Sequence, residues 1–152
     1  MNYEIVKLDE KIIVGQSIVT TNVNGRSVEA IGQLWQSFIG DGVQESIEGK
    51  VSGKGIGLYT AYEGNEEMSF KFMCGMEVSE INETHLETIL IPAASYAKFR
   101  IQGHMVHDVA KAWQNIWALS LNRKYECDFE VYHNDSEDIT CQTIDIYISI
   151  NC

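Results

Sequence analysis

Residues 95–117, SYAKFRIQGHMVHDVAKAWQNIW, change period partway along. Up to Ile101 the apolar positions Ala97, Phe99 and Ile101 alternate with polar ones, the mark of a strand with one buried face. From Val106 onward the apolar residues Val106, Val109, Ala110, Trp113, Ile116 and Trp117 recur at helical spacing and form one stripe. The same switch occurs earlier, in residues 11–38. A β-branched run KIIVGQSIVT (11–20) is followed by Val28, Ile31, Leu34, Trp35 and Phe38 on one helical face, with Asn24 or Ser27 as N-cap and Gly40 to end it.

Outward from these two stretches the remaining strands fall into matching places. Residues 56–62 and 69–78 follow the first helix and 127–132 and 143–150 follow the second, while 3–8 and 87–91 precede the two units. Each pair of later strands is joined by a polar turn, Glu63-Gly64-Asn65-Glu66-Glu67 in one case and residues 134–138 in the other. The glycine-rich stretch 49–57 reads as a flexible connection, and Pro92, the single proline, sits between the halves. The order is therefore β-α-β-β twice, about 1–85 and about 86–152, within one domain spanning 1–152. One helix cannot cover three strands, so the expected fold is α+β: a tandem β-α-β-β repeat forming one antiparallel sheet, with two helices flanking a central cleft. Such pseudo-symmetric clefts are suited to small molecules.

Composition narrows the function classes. The 152 residues carry 11 Lys and Arg against 22 Asp and Glu, a formal charge of −11, with the basic residues scattered. Direct binding to nucleic acid, which draws on clustered cations, is not expected. There is no run of 18 apolar residues, and MNYEIVKLDE lacks the basic and apolar segments of a signal peptide, so the expectation is a cytoplasmic protein without membrane association. The four cysteines, Cys74, Cys127, Cys141 and Cys152, form no C-x-x-C pair and read as reduced thiols. His104, His107 and Asp108 lack a third ligand at metal spacing, so a capping or solvated histidine is expected and no metal. Neither a G-x-S-x-G nucleophile nor a phosphate-binding loop occurs, and no cofactor is expected.

Several segments together resemble the GyrI-like small-molecule-binding domains, which also form the effector-binding halves of AraC-type and MerR-type regulators. The resemblance rests on Gly55-Ile56-Gly57-Leu58-Tyr59, on residues 70–78, on Ile91-Pro92-Ala93-Ala94-Ser95-Tyr96-Ala97-Lys98-Phe99 with Gly103, on Asn115-Ile116-Trp117, on Phe129-Glu130-Val131-Tyr132 and on residues 144–150. It implies the same tandem fold, and a cleft in which Glu130 pairs with a lipophilic cation among aromatic rings. It also implies two alternatives, a hydrolase of strained cyclopropane-type compounds using Glu130 with an aromatic hydroxyl, and a protein-interaction inhibitor like the gyrase-inhibitory member. The chain contains no helix-turn-helix pattern, so a direct transcription-factor role is not expected.

From the residues alone Glu130 is either on a solvated strand face or in a partly buried site. Alternation puts Asp128, Glu130 and Tyr132 on one side of their strand. Tyr59 and Tyr147 are the hydroxyls expected to face the same cleft, and in the enzymatic case either Tyr59 or Tyr147 is the donor, with Glu130 and Tyr147 as the expected catalytic pair. Trp35, Trp113 and Trp117 lie on the helix stripes, where core packing competes with ligand contact; one or two of them are expected to line the ligand. The oligomeric state is left open.

Overall fold

The computed structural model describes residues 2–64, 69–134, 136, 138 and 140–151. The turn expected at 63–67 and that at 134–138 fall partly outside these residues, as does Cys152. The strands are β1 (Glu4–Leu8), β2 (Lys11–Thr21), β3 (Gly55–Thr60), β4 (Ser69–Val78), β5 (Glu87–Ile91), β6 (Ala94–Gly103), β7 (Cys127–Tyr132) and β8 (Gln142–Ile150). The helices are α1 (Arg26–Gly40), the one-turn α2 (Val43–Ser46) and α3 (His107–Trp117). All strands join one antiparallel sheet in the order β1-β6-β8-β7-β3-β4-β2-β5, which confirms the expected α+β architecture.

The order is symmetric about the β3–β7 pair, with one exchange invisible to local patterning. β1 precedes the first unit but pairs with β6 of the second, and β5 precedes the second but pairs with β2 of the first. Asp9-Glu10 and Pro92-Ala93 therefore each connect strands six intervals apart in the sheet. A flat sheet would separate them by ~29 Å at about 4.8 Å per strand, whereas a two-residue link reaches at most about 11 Å. The sheet must curl until its edges approach. The curled face buries its own core, in which Val6 and Leu8 of β1 and Ile89 and Ile91 of β5 meet Ile13, Leu58, Tyr96 and Phe129. The other face carries the helices over Phe70, Phe72, Cys74, Phe99, Ile144, Ile146 and Ile148.

Two local expectations change. α1 is preceded not by a side-chain cap but by Gly25 at φ 68°, and Ser27 Oγ instead donates to Asn22 Oδ1 at 2.6 Å. The glycine-rich stretch is not a free connection. Val51 N donates to Glu77 O, Ser79 N donates to Gly49 O, and Gly55 and Gly57 lie inside β3.

Curling brings β2 against β4 most tightly at Gly15, which faces Gly75. A Cβ on Gly15 would lie 1.9 Å from the Cys74 carbonyl oxygen, a backbone atom that cannot step aside. Gly15→Ala is therefore expected to cost at least about 1–3 kcal/mol, as overpacking does, seen as a lower urea midpoint. Gly40→Ala, with open space around the new methyl, is expected to be neutral or stabilising. Equal stability of the two variants would contradict the close approach.

Candidate functional site

Register decides which side chains meet. β7 pairs with β3 through Gly57↔Glu130 and Tyr59↔Asp128, and with β8 through Glu130↔Ile146. Alternation keeps Asp128, Glu130 and Tyr132 on one face, and that face, which the pattern alone left open, is the one toward the helices, while Phe129 faces the curled side. Opposite Glu130 the position is glycine for a steric reason. A Cβ on Gly57 would sit 2.7 Å from Glu130 Oε1 and 3.2 Å from the Phe72 ring, so the carboxylate lies across β3 only because that position has no side chain.

Glu130 is fully buried (0% exposed). Its Oε2 accepts hydrogen bonds from Tyr59 Oη at 2.8 Å and Trp113 Nε1 at 2.6 Å, and its Oε1 accepts from Tyr132 Oη at 2.8 Å. These donors come from β3, α3 and β7, so the contact ties both halves together. All three are neutral, and among the described residues no cation pairs with Glu130. Burial disfavours the charged carboxylate and raises its pKa above the ordinary glutamate value, although the three hydrogen bonds work in the opposite direction. Burial, and then the nearby Glu130, push the Tyr59 hydroxyl well above its usual range; burial and Glu130 do the same for Tyr132. Both phenols remain donors.

A second buried carboxylate lies one position pair away and is treated differently. Asp128 Oδ2 accepts from Arg123 Nη2 at 2.7 Å and from Tyr62 Oη at 2.6 Å, and Oδ1 accepts from Ser149 N and Oγ at 2.8 and 3.0 Å. The guanidinium also lies 4.2 Å from the Tyr125 ring centroid. Burial opposes charge on Arg123, but Asp128 and Tyr62 outweigh it and keep it cationic. Asp128 is thus neutralised within the fold, and Glu130 is not.

Above this floor a cavity of about 260 Å³ opens between α1 and α3. Trp35, Trp113 and Trp117 all line it, more than the one or two expected, together with Tyr59, Tyr62 and Tyr132. Tyr59 packs 4.9 Å from both Phe72 and Trp113, and Trp35 packs 5.1 Å from Tyr132, so the rings form a continuous wall. Glu130 lies beneath that wall, behind its three donors. The site can present aromatic faces to a ligand and a negative field from below.

Tyr147 is not part of the site. The pairing Phe129↔Tyr147 puts it on the curled face, stacked on Phe129 at 4.6 Å and 13°. The expectation that it shares a cleft with Glu130 is corrected by register; Tyr132 and Trp113 take the donor places beside Tyr59. His104 is a cap: its Nδ1 accepts from Val106 N at 3.0 Å and His107 N at 3.2 Å at the start of α3. Among the described residues no cluster of three or more His, Cys, Asp or Glu side chains is placed to hold a metal, and no helix is long and apolar enough to cross a membrane. The sequence reading missed Arg123, which sits in the irregular segment after α3, and Gly57, whose role depends on a cross-strand neighbour.

Comparison with known proteins agrees with the fold. An integron cassette protein from Vibrio cholerae is 22% identical, with a TM-score of 0.75 over 98% of this chain and 95% of that one. The protein SAV2435, solved bound to tetraphenylphosphonium, is 17% identical with a TM-score of 0.80 over 99% and 94%. The EcmrR C-terminal domain is 17% identical with a TM-score of 0.59 over 99% of each chain. A search of curated proteins by sequence returned no match. The family model of Cass2, the integron-associated effector binding protein, matches residues 4–150, nearly the whole chain. This protein, with its tandem sheet and its aromatic cavity between two helices, belongs to the Cass2 family of effector-binding proteins.

Proposed function

We propose that the protein binds a lipophilic cation in the cavity between α1 and α3, with the aromatic wall as contact surface and Glu130 as counter-charge. The observation that carries this is the contrast between two carboxylates. Asp128 has a guanidinium partner, whereas Glu130 is buried under the cavity floor with neutral donors only. A monovalent cation about 6 Å from Glu130 gains roughly 3 kcal/mol at an effective dielectric of about 20, and stacking on tryptophan or tyrosine adds about 0.5–2 kcal/mol. The neighbour solved with tetraphenylphosphonium, a cation of this class, supports the reading. The overall charge of −11 favours the approach of cations.

The hydrolytic alternative is less well supported by the geometry. A general base must hold a water, and both oxygens of Glu130 already accept bonds beneath the wall of rings. Of its two candidate donors, Tyr147 is on the other face, and Tyr59 already donates to Glu130 itself. No observation favours the protein-interaction alternative.

Two outcomes test the proposal. Phenyltrimethylammonium should bind more tightly than its neutral isostere tert-butylbenzene, and Glu130→Gln should weaken the cation by about 100-fold while leaving the neutral compound unchanged. Equal binding of the two compounds to the native protein would refute the role of charge. The second outcome follows from proton linkage. Because folding raises the pKa of Glu130, its protonated form is the one the fold favours. That contribution is present below the ordinary glutamate value and is lost as pH rises through the raised value. The glutamine keeps a carbonyl for Tyr59 and Trp113 and an amide for the rotatable Tyr132 hydroxyl. Glu130→Gln is therefore expected to fold, and its stability relative to the native protein should increase with pH across that window. A pH-independent difference in urea midpoint would rule out the raised pKa.

A further inference from the structure

The two long helices run in opposite directions over the sheet. α1 follows the end of β2, where Thr21 pairs with Ser69 beyond the Thr60↔Lys71 pair, and it runs until Trp35 rests over Gly55 at the start of β3. α3 follows the end of β6, where Gly103 pairs with Gln142, beyond the Tyr132↔Ile144 pair and so at the Gly55 end. It runs until Trp113 meets Tyr59 and Glu130. Both helices give the cavity the same pattern at the same spacing, Val28, Gly32 and Trp35 on one wall and Val106, Ala110 and Trp113 on the other. Because the helices are opposed, the small residue of each lies toward the tryptophan of the other. Three residues, about 4.5 Å along a helix axis, take Gly32 from Trp35 toward the end where Trp113 stands, and Ala110 from Trp113 toward Trp35.

Gly32 is the more informative of the two. It stands in the middle of α1, where glycine is destabilising relative to alanine, and no heavy atom lies within 4 Å of where its Cβ would be. Packing therefore does not require it. In this it differs from Gly15 and Gly57, whose missing Cβ makes room for other atoms of the protein. The room left at Gly32 belongs to the cavity, which both it and Trp113 line. On the opposite wall the matching place already holds the methyl of Ala110, so the extra room is on the side where Trp113 meets Glu130.

We propose that Gly32 is a specificity-determining position of this cavity: the bare backbone of α1, with Trp113 across from it, forms a slot that admits one aryl group of a bulky ligand carrying two or more rings about its charge. The inference rests on the cation-binding reading and deepens it, since Glu130 selects for charge and the width between Gly32 and Trp113 selects for bulk. A ring in the slot has the indole of Trp113 on one side and uncovered backbone on the other, a close approach that glycine permits and a larger side chain blocks.

The test compares tetraphenylphosphonium, with four rings about its charge, and phenyltrimethylammonium, with one. By calorimetric titration Gly32→Leu, which puts a strong helix former into the open space, should weaken tetraphenylphosphonium by about 30-fold and phenyltrimethylammonium by less than about threefold. Gly32→Ala should weaken tetraphenylphosphonium by about threefold while raising the urea midpoint, an opposition of affinity and stability that a purely structural role does not produce. In native protein carrying 13C-labelled glycine, the Gly32 α-protons should show nuclear Overhauser contacts with the phenyl protons of bound tetraphenylphosphonium, a readout that needs no variant. Equal weakening of the two cations by Gly32→Leu, unchanged binding of tetraphenylphosphonium, or no contact with the Gly32 α-protons would overturn the size proposal while leaving the cation reading standing. Failure of both cations to bind the native protein would overturn the two together.

Discussion

The arrangement depends on burying one carboxylate without a counter-ion. Taking Glu130 out of water costs several kcal/mol, and the fold offsets this with three directed neutral hydrogen bonds, each worth roughly 1.5–3 kcal/mol to a charged acceptor. The other features of the site follow from accommodating it. Position 57 is glycine so that the carboxylate can lie across β3. Tyr59 is two residues further along the same strand and Tyr132 two residues further along β7, both turned to the helix face. Trp113 is on the stripe of α3 that packs down on the sheet, which brings its indole N–H to Glu130 Oε2. Moving any of these groups leaves either a charge or a donor unpaired in the interior.

The same strand carries the control. Asp128, two residues from Glu130 and on the same face, is held by the Arg123 guanidinium, by Tyr62 and by both the backbone and the hydroxyl of Ser149. That site is closed electrostatically and anchors the segment after α3 to the sheet. Among the described residues the interior thus holds two buried carboxylates with a guanidinium partner, Asp128 with Arg123 and Asp145 with Arg100, and one without, Glu130, and the cavity opens above the last. Donors that stabilise a charge without cancelling it leave a field that an incoming cation can still use. An arginine beside Glu130 would remove that field.

Much of this was legible in the sequence, for reasons that also explain the gaps. Period-2 alternation in 127–132 put Glu130 and Tyr132 on one face, and the 3.6-residue stripes placed the three tryptophans on the faces that now line the cavity, because periodicity reports a residue's own orientation. It does not report neighbours. Tyr147 alternates cleanly with Ile146 and Ile148, yet only the pairing Phe129↔Tyr147 shows that its face is the curled one. Gly57 looked like part of a glycine-rich loop because the group it makes room for is 73 positions away in the chain. Arg123 lies in an irregular segment where no period exists to be read. The exchange of β1 and β5 between halves had no local signal either, since each looks like an ordinary strand before its own unit; it follows only from the pairings, and it forces the sheet to curl.

The central claim is that a bound cation takes up the charge of Glu130. Proton release on binding tests it most directly, because the pKa of Glu130 is raised in the empty protein by burial and must fall when a cation arrives above it. Titration with tetraphenylphosphonium, in buffers of different ionisation enthalpy and at a series of pH values from the ordinary glutamate range upward, measures that release. The account predicts a release that peaks just below the raised pKa and vanishes in Glu130→Gln. Binding with no proton release at any pH, or with the same release in the glutamine variant, would contradict it.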